Sequence, residues 1–132
     1  MNQLDELPGA HCLDILKRHE VGRVALCTAM GPRIIPVNYR VLREAIIIRT
    51  TPYSELGTYG RDREIAFEVD EIEPDEKSGC SAVVRGRASM VEDYDELREI
   101  KDFADPSTWA DGHRELYLRI PLRELSGRRI AA

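Results

Sequence analysis

The chain has 132 residues, 42% of them hydrophobic and 33% charged, with a net charge of −5. That length fits one domain, 1–132, whose modest core leaves little room for a large interior cavity, so a bulky ligand is expected in a surface cleft or between two copies. The acidic balance argues against non-specific nucleic-acid binding, and no apolar run is long enough to span a bilayer.

The first elements follow from the apolar period. Cys12, Leu13 and Leu16 can share one face of a short helix, which "RHEVG" ends. The early acids of "MNQLDELPGAHCLDILKRHE" and its lack of an apolar signal core predict no secretion. Cys12, Cys27 and Cys80 are odd in number and lack metal-ligand spacing, so they read as reduced thiols of a cytoplasmic protein.

From Gly22 the period becomes two. "RVALCTA" puts Val24, Leu26 and Thr28 on one side, and Met30-Gly31-Pro32 is a turn. "RIIPVNYRVL" alternates Ile35, Val37, Tyr39 and Val41 against Ile34, Pro36, Asn38 and Arg40. A tight connection leads to "AIIIRT", making an antiparallel three-strand meander. Pro36 removes a ladder donor, which implies an edge, a bulge or a local opening of the sheet.

"PYSELGTYG" predicts a helical turn or two, with Pro52 at the first helical position and Gly60 at the exit. "REIAFEVDEI" turns Ile65, Phe67 and Val69 inward, and Asp70, Glu71 and Glu73 read as a solvated rim at the strand end and in the loop. A long strand, "CSAVVRGRASMV", follows with a bulge or bend expected at Gly86. "EDYDELREIKDFA" is a helix with Tyr94, Leu97, Ile100 and Phe103 or Ala104 as its apolar stripe. After the loop "DPSTWADG", the last core strand is "RELYLRIPL", and "RELSGRRI" closes the chain. Six strands with two later helices favour a small closed or partly closed antiparallel barrel, with an open α+β sheet as the alternative.

Two segments carry candidate chemistry. Arg49, Thr50, Thr51 and Ser54 combine an arginine fork, hydroxyls and a helix start, the donor set a phosphate needs. The plainer reading is that Thr51 caps the helix and Arg49 pairs with a surface acid. In "IIPVNY", a sheet opened by Pro36 exposes backbone groups that could meet a planar heterocycle edge-on, with the Asn38 amide beside them; an ordinary edge-strand proline is the alternative. His11, His19 and His113 are scattered and read as solvated, with no metal site. Cys80 has no base or cation next to it in sequence, so it reads as an unreactive thiol near a barrel mouth, with Ser81 beside it.

The ordered set "VGRVAL", "RIIPVNYRV", "IIIRTTPYSEL", "IAFEVDEIE", "SGCSAVVRGRASMV" and "LRIPLRELSGRRI" resembles the pyridoxamine 5′-phosphate oxidase-like flavin-binding split-barrel family, most of all its small actinobacterial-type members. The resemblance implies a mainly β fold, a six-stranded antiparallel split barrel with short flanking helices, as a homodimer with FMN at its interface. It implies an FMN-dependent oxidoreductase acting on a small-molecule substrate, with no side chain required to be catalytic. Members that use a deazaflavin cofactor or haem, or show no catalysis, are the alternatives. It places Pro36, Val37 and Asn38 at the isoalloxazine edge and Arg49, Thr50 and Thr51 by the ribityl chain and phosphate. Ser54 falls on the phosphate, and Cys80 and Ser81 near the flavin. Two departures stand out: Tyr53-Ser54-Glu55 where the family commonly has Gly-Ser-Lys, and Cys80-Ser81 where it commonly has Trp-Ser. Glu55 predicts repulsion of a phosphate unless its side chain turns away.

Overall fold

Each predicted period-two segment is a strand in the protein. The computed structural model describes residues 3–108 and 115–131. Its strands are β1 (Gln3–Glu6), β2 (Val21–Thr28), β3 (Gly31–Leu42), β4 (Ala45–Thr50), β5 (Arg63–Glu73), β6 (Ser78–Met90), β7 (Leu116–Pro121) and β8 (Glu124–Ala131). Helices α1 (Gly9–Arg18), α2 (Glu55–Tyr59) and α3 (Tyr94–Phe103) lie between them. Trp109, His113 and Arg114, to which the sequence assigned a loop, a solvated histidine and a strand start, lie outside the described residues.

The strand order is β1-β8-β6-β5-β2-β3-β4-β7, and a further β6–β7 pairing joins the ends of the inner six. Those six form a closed antiparallel barrel, and they are the six strands predicted. The strand count itself is corrected to eight among the described residues. β8 pairs with the outer edge of β6, and β1 with β8. β8 escaped detection because it buries only Gly127 fully and shows no continuous apolar face.

Burial explains the patterns. Val24, Leu26, Tyr39, Ile46, Ile48, Phe67, Val84, Leu118 and Ile120 fill the barrel. β4 is apolar without alternation because both its faces are covered: Ile46 and Ile48 face the barrel, while Ala45 and Ile47 pack with Val91, Ile100 and Tyr117 under α3. The stripe of α3 is therefore Leu97, Ile100 and Ala104; Tyr94 and Phe103 are exposed. α1 buries Cys12, Ile15 and Leu16 against the barrel, with Ile15 in the place expected of Leu13. The Tyr39 hydroxyl donates to the Leu16 carbonyl at 2.5 Å, satisfying one of the orphan carbonyls in the last turns of α1.

Gly86 inserts no residue: the β5–β6 register runs unbroken through Ile65 opposite Gly86. On the other edge, β6 changes partner there, from β8 up to Arg85 to β7 from Ser89. The glycine marks a switch of sheet rather than a bulge.

Candidate functional site

β3 is the strand that opens the barrel. It pairs with β2 along Gly31–Asn38, but with β4 only along Tyr39–Leu42. The β3–β4 ladder ends at Tyr39 opposite Ile48. Had it continued, Asn38 would face Arg49, and Val37 would face Thr50. Instead the strands part there.

Pro36 fits this opening. The Tyr39 N–H donates to the Glu20 carbonyl just ahead of β2. Strand alternation then turns the polar groups of Ile35 and Val37 toward β2, and those of Ile34, Pro36 and Asn38 toward the opposite edge, which pairs with no strand among the described residues. The missing proline N–H therefore costs no ladder bond.

A cavity of about 500 Å³ occupies the split, lined by Ile34 to Asn38 on one wall and by Arg49, Thr50, Ser54 and Leu56 on the other. Arg33, Glu55 and Thr108 complete its lining. Of the residues proposed from sequence, Pro36, Val37, Asn38, Arg49, Thr50 and Ser54 meet here. Thr51 does not line it. Cys80 and Ser81 line a different cavity, of about 440 Å³, with Ile72, Lys77 and Ile130.

The donors are held by a local network. α2 starts at Glu55 with Ser54 as its N-cap, three residues later than the predicted start at Pro52. The cap is Ser54, not Thr51, because Ser54 Oγ accepts from the Gly57 N–H at 2.9 Å. Ser54 Oγ also donates to the Thr51 carbonyl at 2.8 Å and lies 2.7 Å from Thr50 Oγ1. Thr51 acts from behind, its Oγ1 accepting the Ser54 N–H at 3.1 Å. The Ser54 hydroxyl is thus committed to holding the loop.

Arg49 sits 5.7 Å over the Tyr117 ring and 3.4 Å from Asp105 Oδ1. The same carboxylate oxygen accepts from the Tyr117 hydroxyl at 3.0 Å. Burial, then the Asp105 carboxylate, pushes the Tyr117 hydroxyl pKa up. Glu55 neither faces the cavity unpaired nor turns away: its Oε1 lies 3.5 Å from Arg33 Nε. The sequence reading missed Asp105 and Arg33. Asp105 sits in a loop with no period to place it; Arg33 had a weak signal, as a cation at the head of the Ile35–Val37 face.

Around Cys80 the polar residues pair with one another. Arg18 forks onto Glu71 at 2.8 and 3.1 Å, His19 Nε2 lies 2.5 Å from the same carboxylate, and Cys80 Sγ donates to it at 3.6 Å. Arg18 and then His19 hold the Glu71 carboxyl down to about 2. Burial and Glu71 push the Cys80 thiol pKa up, away from a reactive thiolate. No group of three metal-ligating side chains occurs among the described residues. The acids read as a rim at the strand end and in the loop, Asp70, Glu71 and Glu73, all belong to β5, which runs to Glu73.

On the same strand, Glu68 and Asp70 share Arg23 at 3.5 Å each. Burial and then Asp70 push the Glu68 carboxyl up to about 7, against the pull of Arg23. A raised carboxyl pKa means the folded state holds its proton more tightly than the unfolded state. The associated stability is full below the ordinary carboxyl range and is lost as pH rises through about 7. Glu68→Gln should therefore stabilise the protein by about 1 kcal/mol at pH ~8 and change little at pH ~4 in urea titrations.

A β-barrel split beside a polar-ended cleft is the class of protein that this fold defines. The pattern of the pyridoxamine 5′-phosphate oxidase family matches residues 8–129, and the chain belongs to that family. It is 27% identical to an uncharacterized protein of Mycobacterium tuberculosis, covering 96% of this chain and 86% of that one. Its fold is similar to an FAD binding protein from Mycobacterium smegmatis, with a TM-score of 0.82 and 26% identity over 96% of this chain and 98% of that one. A conserved protein of unknown function from Corynebacterium diphtheriae is also similar, with a TM-score of 0.75 and 28% identity over 95% and 96% of the two chains.

Proposed function

We propose that this chain is a flavin-dependent oxidoreductase that holds FMN in the split of its barrel and acts on a small-molecule substrate. The observation that carries the reading is the parting of β3 and β4 after Tyr39 and Ile48, which sets an unpaired strand edge opposite Arg49 and Thr50. The fit is chemical as well as geometric. A cavity of about 500 Å³ is within the range of cofactor sites. The edge groups of Ile34, Pro36 and Asn38 offer backbone donors and acceptors to a heterocycle, and Arg33 and Arg49 bring positive charge to the cavity lining.

A bound flavin supplies one- and two-electron transfer. The chain's own residues would bind and orient it: Pro36, Val37 and Asn38 at the ring edge, Thr50 and Ser54 shaping the floor, and Arg49, held against Asp105, adding positive charge to the cavity. No side chain is assigned a proton transfer. A homodimer completes the proposal, in which the surface around Cys80, Ser81, Ile72 and Ile130 meets the second copy. The unpaired Cys12, Cys27 and Cys80 suit a reducing cytoplasm. No helix among the described residues is long and apolar enough to cross a membrane.

FAD is the second reading, favoured by the relative from Mycobacterium smegmatis, which is named for binding it. Titrating the purified protein with FMN, FAD and a deazaflavin, read by flavin fluorescence and absorbance, tests the assignment. Saturable FMN binding in the micromolar range supports it. Tighter FAD binding moves the assignment to the dinucleotide, and binding of the deazaflavin alone moves it to that cofactor. No binding of any of the three at on the order of 100 μM would remove the flavin reading altogether.

A further inference from the structure

We propose that the Arg33–Glu55 pair is a phosphate selector at the mouth of the cavity: Arg33 receives a flavin phosphate, and Glu55 is the counter-ion that the phosphate must displace. The inference rests on the flavin reading above and assigns the phosphate end of that site to residues of this chain.

The geometry distinguishes Arg33 from the other polar groups of the cavity. The Ser54 hydroxyl is committed to Thr51, Gly57 and Thr50. Arg49 is committed to Asp105 and stacked on Tyr117. The closest approach of Arg33 to Glu55 is Nε to Oε1 at 3.5 Å, with the two side chains 56% and 34% exposed. The tightest arginine–glutamate pairs of the protein are two-point forks: Arg18 on Glu71, and Arg43 on Glu99 at 2.5 and 2.7 Å. A long, solvent-exposed pair contributes little stability. A phosphate offers the same guanidinium a two-point, charge-assisted contact with a doubly charged partner. The exchange therefore favours phosphate, but by less than it would with no glutamate to displace.

Glu55 thus weakens phosphate recognition through Arg33 rather than by general repulsion, and this separates two mechanisms. A displaced counter-ion matters only while Arg33 is present. Plain repulsion between Glu55 and phosphate acts whether or not Arg33 is there.

The test compares riboflavin with FMN, which differ only in the phosphate, by fluorescence titration at one ionic strength. The ratio of the two dissociation constants is the phosphate factor. Relative to wild type, Arg33→Met should lower this factor about tenfold and Glu55→Gln should raise it about fivefold, while the double variant should match Arg33→Met. Arg33→Lys should retain part of the factor, which separates lost charge from a misfolded strand. An unchanged factor in Arg33→Met overturns the proposal. So does a rise on Glu55→Gln that is equally large with and without Arg33. If wild type binds neither riboflavin nor FMN, the flavin reading itself fails and the selector falls with it.

Discussion

Replacing Phe67 by alanine is expected to cost about 3–5 kcal/mol, a large share of the roughly 5–15 kcal/mol that stabilises a domain. Phe67 is fully buried, and its ring meets Tyr39 edge-on with centroids 4.7 Å apart. The ring is seated over Gly22 of the neighbouring strand. A methyl group at Gly22 would lie 2.3 Å from Phe67 Cζ and 2.6 Å from Cε2, so the glycine is the space the ring occupies. Gly22→Ala should then destabilise by about 1–3 kcal/mol, because a packed aromatic ring, unlike a flexible side-chain tip, has nowhere to move. The two effects are coupled. In Gly22→Ala combined with Phe67→Leu, the smaller side chain makes room, and the total should fall short of the sum of the single variants by about 1 kcal/mol. Rescue stays partial, since the Glu68 carbonyl oxygen also lies 3.0 Å from the added methyl. Urea unfolding followed by circular dichroism reads all four states. Strict additivity would show that Phe67 and Gly22 do not share this space.

The same pair shows what the sequence could and could not disclose. Ile65, Phe67 and Val69 declared their face by alternation, because one side of β5 is barrel interior and the other is not. Most of the barrel strands were legible on that ground, and β4 by its unbroken apolar run, which is covered on both faces. β8 was not, because its backbone extends the sheet while its side chains are mostly outside the core. Pro36 was legible as an anomaly, and the unpaired edge gave it a physical cause. The gathering of Asn38, Arg49 and Ser54 at one cavity follows from a meander whose middle strands part. That Arg49 pairs with an acid was the plainer reading of its segment, but the partners in the ion pairs were illegible. Arg49 and Asp105 stand 56 positions apart, and neither periodicity nor turn chemistry links them. Glu55 was visible as an anomaly in the donor run, but its partner Arg33 lies on β3, 22 positions earlier. Charge complementarity across a split needs the fold before it can be read.

Gly57→Ala is the variant expected to unite loss of stability with loss of binding. Alanine is the better helix former by about 1 kcal/mol, so propensity alone predicts a gain in α2. The packing predicts the opposite. A methyl at Gly57 would lie 2.1 Å from the Thr51 carbonyl oxygen, with Pro52 backbone atoms at 3.1 Å. These are backbone atoms of the loop that ends β4, and they have little freedom to retreat. α2 must lift, and lifting it withdraws the Gly57 N–H from Ser54 Oγ. The cap, the Thr50–Ser54 contact and the position of Glu55 beside Arg33 then go together. A net cost of about 1–3 kcal/mol is expected, with flavin affinity reduced about tenfold. Ser54→Ala is the informative comparison, because it removes the cap at a cost of about 1 kcal/mol without forcing the backbones apart. If Gly57→Ala weakens binding much more than Ser54→Ala does, the position of α2 controls the cleft. If both weaken it equally, the serine hydroxyl alone carries the effect. A stabilised Gly57→Ala would show that helix propensity outweighs the contact with Thr51. The run of donors after the isoleucines of β4 is thus tied first to the docking of α2, and through that docking to whatever the cleft binds.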